Sequence, residues 1–119
     1  MKRDMDLVRT ILLAVEAIPD ESMGQFVNRI DRVDSGVFAR HVEIMLEAGL
    51  VEGHVVHAGR SIRANVNGIT WDGYEFLDSI RSDTAWAKTK ARIAGTVGSA
   101  SFEVIKAVAV SYAMRAVLG

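Results

Sequence analysis

The chain has 119 residues, half of them hydrophobic, with one proline and no cysteine. That length suits one domain with a real core, and the lack of cysteine excludes disulfides and thiolate zinc sites and fits a reducing cytoplasm. Lysine and arginine number 14 against 15 acids, a formal charge of −1, so any pull toward nucleic acid or membrane must be local.

The opening MKRDMDLVRT reads as part of the folded protein and not as a signal peptide, because acids interrupt it and no apolar core follows at the right place. Leu7, Ile11, Ala14 and Ile18 form one row, with Val8, Leu12 and Val15 beside it. This broad apolar face predicts a helix over 4–18. Asp4 can cap it, Asp6 suits its first turn, and Pro19 ends it by excluding helical geometry at Ile18. Lys2 and Arg3 read as a solvated terminus in preference to a phosphate contact.

Residues 20–24 form a polar loop. From 25 to 32 (QFVNRIDR) the pattern alternates, with Phe26, Asn28, Ile30 and Arg32 on one side and Val27, Arg29 and Asp31 on the other. A short strand fits, and an extra helix stays open as the alternative.

The stretch 35–51, SGVFARHVEIMLEAGLV, is the centre of the pattern. Asp34 or Ser35 caps a helix, and Gly49 supplies its left-handed end. Stepping roughly 100° per residue, Phe38, Val42, Met45, Leu46, Val37, Ala39, Ile44 and Ala48 cover a wide arc. Arg40, Glu43 and Glu47 occupy the opposite side, and His41 falls at the margin.

Two strands follow, 50–57 and 62–67, joined by the turn Ala58-Gly59-Arg60-Ser61, where glycine permits a positive φ. Ile62, Ala64 and Val66 would face the core, with Arg63, Asn65 and Asn67 outward, and Asn67-Gly68 closing the strand. Thr70 then caps a helix to about Arg81. Asp83 or Thr84 caps another to about Ala94, with Trp86 and Ile93 on its apolar side and Lys88, Lys90 and Arg92 as its cations. Residues 95–100 make a flexible break. A last helix starts at Ser99 or Ser101 and reaches Gly119.

The fold class is therefore mainly α with a small β-hairpin (α+β): a winged helix-turn-helix over 1–81 and a C-terminal helical extension over 82–119. The extension belongs to the same compact unit or forms a dimer interface. From Val104 to Leu118 only Lys106, Ser111 and Arg115 are polar, and they do not share a face. A helix apolar nearly all round needs cover on several sides. Burial within one chain and a homodimer through Ile105, Val108, Tyr112 and Val117 both remain open. A transmembrane span would need about 20 apolar residues without such charges, so no membrane is expected.

Four segments occur in order that resemble a known family: MKRDMDLVRTILLAVE, RHVEIMLEAGLVE, TWDGYEFLDSIRSDTAWAKTK and SFEVIKAVA. They are similar to the phage-associated family catalogued as domain of unknown function 2513. The resemblance covers nearly the whole chain and implies a bacterial or prophage origin and a winged-helix-like fold. It implies no activity and no functional residues. The stretch QFVNRIDRVD departs from the family most.

Catalytic patterns are missing. There is no GxSxG elbow, GxGxxG or GxxxxGKS phosphate loop, HExxH or DxDxDG, so no enzyme, cofactor or metal site is expected. His54 and His57, three apart on a strand, would point to opposite faces, and His41 would need partners from elsewhere. Two roles stay open. The first is a cytoplasmic DNA-binding or regulatory protein. Its contacts to double-stranded DNA would be Arg60 and Arg63 on the wing, with Arg29, Arg32 and Arg40. The second is a non-catalytic module binding a host or phage protein. It is suggested by the near-neutral charge, the acids on the exposed side of the central helix and the excess apolar surface from Val104 to Leu118.

Overall fold

A computed structural model describes residues 1–20, 24–94 and 101–118. The described residues form five helices and a two-stranded antiparallel hairpin, the mixed α+β class expected from the pattern. The chain divides into two compact units, Met1–Tyr74 and Glu75–Gly119.

In the first unit, α1 (Met5–Glu16) buries Leu7, Val8, Ile11, Leu12 and Val15, the row seen in the sequence. Asp4 caps it, its Oδ1 accepting from Asp6 N at 2.9 Å and from Leu7 N at 3.3 Å. The second helix, α2 (Ser35–Glu47), is capped by Asp34, whose Oδ2 accepts from Val37 N at 3.1 Å. It buries Phe38, Ala39, Val42 and Met45. His41 is not marginal, as its position round the helix suggested, but fully buried.

The hairpin joins β1 (Val51–Ala58) to β2 (Ser61–Ile69). Gly59 takes φ 61° and Arg60 has no positive φ, the pattern of a type II′ turn. Ala64 and Val66 are buried and Arg63 and Asn67 exposed, as the alternation required. The second strand does not close at Asn67-Gly68. Glu52 pairs with Gly68 and Gly53 with Val66, so Asn67 is an extra residue in a bulge and pairing continues to Ile69. Gly53 permits this, because a Cβ there would run into the Asn65 carbonyl.

The strand expected over 25–32 reduces to one residue. Val27 N donates to Val66 O at 2.8 Å and Val66 N donates to Val27 O at 2.9 Å. The chain then leaves the sheet through a turn in which Val33 N donates to Ile30 O at 3.1 Å. Arg32 sits in that turn with φ 65°, a conformation that favours Gly or Asn. No helix lies between α1 and α2 among the described residues.

Thr70 starts α3 (Trp71–Ile80). Its Oγ1 accepts from Gly73 N at 3.0 Å and donates to Gly49 O at 2.5 Å, while its N donates to Leu50 O at 3.1 Å. The end of α2 and the start of α3 are thereby tied through one side chain.

In the second unit, Phe76 and Phe102 meet edge to face with ring centroids 5.0 Å apart. The cap of α4 (Asp83–Ala94) is Ser82, not Asp83 or Thr84, because Ser82 Oγ is the oxygen that accepts from Ala85 N, at 3.0 Å. Trp86 and Thr89 are buried there, and Lys90 lies over the Trp86 ring, 5.6 Å from its centroid. Ser101 caps α5 (Phe102–Leu118), accepting from Val104 N at 3.3 Å. The break expected over 95–100, with Ser99, lies outside the described residues. Only Ile105 and Ala109 of α5 are buried, so its wide apolar circumference is largely on the surface of the single chain. Among the described residues no helix is long and apolar enough to cross a membrane.

Candidate functional site

The alternation of β1 and β2 divides the hairpin into two faces. Gly53, Val55 and His57, opposite Val66, Ala64 and Ile62, form one face; His54 and Val56, opposite Asn65 and Arg63, form the other. The first face meets α2. His57 Nε2 lies 2.7 Å from Glu43 Oε2, and Glu43 Oε1 accepts from Arg40 Nη1 at 3.1 Å. One carboxylate therefore holds both Arg40 and His57, and the exposed side of α2 offers no free positive charge beside Glu47. Arg40 is held in that pair and does not line the groove that Arg29, Arg60 and Arg63 share.

The second face borders an open groove of about 730 Å³. Arg60 enters it from the turn and Arg63 from β2, while Phe26, Asn28 and Arg29 border it from the segment around the Val27 bridge. Asp34, Ser35, Gly36 and Phe38 close it at the start of α2. Three of the five arginines singled out from the sequence, Arg29, Arg60 and Arg63, thus line one concavity. Arg32, on its left-handed turn, is exposed and does not line it.

Phe26, Asn28, His54 and Asn65 are also in the lining, and sequence reasoning did not assign them to a site. Phe26 and Asn28 share one side of the QFVN alternation, which was the available signal. Phe26 is 50% exposed and Val56 59% exposed beside these arginines.

The edge of β2 also faces this groove. Val66 turns its N–H and C=O toward Val27 and away from β1. Every second residue of an antiparallel strand uses the same edge, so Ala64 and Ile62 turn their backbone groups the same way. Neither meets a backbone partner on that side among the described residues.

His41 accepts from Asp4 N through Nε2 at 2.9 Å, which leaves Nδ1 to donate to Val37 O at 2.8 Å. Both nitrogens are occupied within the fold. Among the described residues no three histidines or carboxylates gather as a metal site would need. The residues expected at a dimer contact separate. Ile105 is 3% exposed, Val108 and Tyr112 border a cleft with Arg92 and Arg115, and Val117 is 83% exposed.

A family model described as "Hypothetical protein (DUF2513)" matches residues 2–99. A protein of Haemophilus influenzae named "Uncharacterized protein" is 32% identical over 109 residues, 92% of this chain and 92% of its own length. No solved structure matches. The family match spans most of the sequence and the Haemophilus relative aligns nearly end to end, so the chain belongs to the DUF2513 family.

Proposed function

We propose that this is a small, non-catalytic nucleic-acid-binding protein of a bacterial or prophage cytoplasm, with the β1–β2 hairpin acting as the wing of a winged-helix-type domain. The observation that carries this is the convergence of Arg29, Arg60 and Arg63 on one groove. Guanidinium groups placed together in this way suit phosphate oxygens, which supply most of the affinity of nucleic-acid binders. Few cations are involved, so binding is weak and its salt dependence shallow, with Kd in the range ~10⁻⁴–10⁻⁶ M of non-specific complexes. Titration of labelled duplex DNA at low salt tests it. Binding that weakens about tenfold in Arg60→Ala with Arg63→Ala is expected. No binding of duplex or of single-stranded DNA at tens of micromolar protein would count against it.

A role in protein contacts is favoured by a different observation, the exposed side of α5. Ala107, Val110, Met114 and Val117 follow one another at spacings of three, four and three, and Met114, Val117 and the neighbouring Leu118 are 53%, 83% and 77% exposed. That spacing is the one a short helix–helix contact uses, and a second copy of the chain would cover it. The seam replaces the mixed set Ile105, Val108, Tyr112 and Val117, of which only Val117 lies on it.

A further inference from the structure

We propose that the groove takes an unpaired nucleobase with its flanking phosphates, so that the ligand is a single-stranded segment and not a closed duplex. This rests on the nucleic-acid reading above and names its substrate class. Three observations point the same way.

First, the helix that would enter a major groove is poorly suited to it. On the exposed side of α2, Arg40 is paired with Glu43, and Glu47 is exposed beside them. Carboxylates on a reading helix meet phosphates with repulsion.

Second, the groove has a stacking platform. Phe26 is half exposed and stands between this groove and an adjoining hollow of about 440 Å³ that it also lines with His54 and Asn65. An exposed aromatic ring beside arginines on a sheet face is how proteins hold unstacked bases, because every base has a face to offer. The adjoining hollow carries Glu16 and Asp20. A phosphodiester backbone is therefore directed to the side of Arg29, Arg60 and Arg63.

Third, the groove has groups able to read a base edge. The backbone N–H and C=O of Ala64 and Ile62 along the β2 edge, and the amides of Asn28 and Asn65, offer donors and acceptors together. A paired base has already used its Watson–Crick edge; an unpaired one has not. Asp34 is the one carboxylate in the lining, and it is engaged with Val37 N at 3.1 Å.

The test uses the whole protein, a labelled oligothymidine and a labelled duplex, each about 12 nucleotides long, within the span of known single-strand sites. The single strand should bind about tenfold more tightly than the duplex. Phe26→Leu should weaken single-strand binding about tenfold and so erase the preference over duplex, and Phe26→Tyr should restore that preference. Arg60→Ala with Arg63→Ala should weaken both ligands. Equal or tighter duplex binding, with Phe26→Leu unchanged, would overturn the single-strand assignment and leave nucleic-acid binding standing. Binding of neither ligand would overturn both. Capture of poly-glutamate in place of either nucleic acid would assign the groove to an acidic protein segment and also overturn both.

Discussion

The backbone N–H of Asp4 donates to the Nε2 of His41 at 2.9 Å, across 37 positions of sequence. The same Asp4 caps α1 with its side chain, and the same His41 donates from Nδ1 to Val37 O inside α2. One imidazole thus fixes where α1 begins relative to α2. Substituting it removes a fully buried side chain and leaves a donor unpaired. His41→Ala should lower unfolding free energy by about 2–4 kcal/mol. His41→Phe keeps an aromatic ring, enlarges it and loses both ring nitrogens, and should cost about 1–3 kcal/mol. Denaturant titration measures both, and stability near wild type for both variants would show that the link is not structural.

Thr70 ties the end of α2 to the start of α3 with one hydroxyl that both donates and accepts. Thr70→Val keeps the shape and removes both bonds. It should cost about 1–2 kcal/mol, and Thr70→Ser should recover most of it. A thermal melt in which valine and serine variants coincide would contradict this role.

Much of this fold is legible in the sequence because its signals are local. The apolar row of α1, the Asp4 and Asp34 caps and the Gly59 turn each follow from a few neighbouring residues. Departures arise where a distant contact decides. His41 was marginal on helix geometry alone and is buried by its reach to Asp4. The segment 25–32 alternates like a strand, yet only Val27 pairs, because the chain must turn at Arg32 to reach the cap of α2. The three arginines of the groove were visible one by one. Their meeting with Phe26 and Asn28 depends on the long-range bridge between Val27 and Val66, and no local pattern encodes it.

Arg40 and Arg63 separate two ways of meeting a nucleic acid. Arg40 is held by Glu43 on α2, whereas Arg63 lines the groove. Arg40→Ala should change oligonucleotide affinity less than about twofold, and Arg63→Ala should weaken it by about fivefold or more. Loss of binding in the Arg40 variant would move recognition to α2.

Two residues of α5 separate folding from association. Ile105 is buried and Val117 lies on the exposed seam. Ile105→Ala should destabilise the protein by about 2–4 kcal/mol. Val117→Lys should leave the melting temperature nearly unchanged and shift light-scattering mass toward the monomer. A wild-type protein that remains monomeric at high concentration would remove the self-association proposal.

The central claim is that Arg29, Arg60 and Arg63 act together on a phosphate backbone, and the salt dependence of binding tests it most directly. The slope of log affinity against log salt counts the phosphates neutralised, at about 0.7 per contact for a single strand. Oligonucleotide binding should show a slope near −2, falling toward zero in the variant with all three arginines replaced by alanine. An unchanged slope in that variant would contradict the claim.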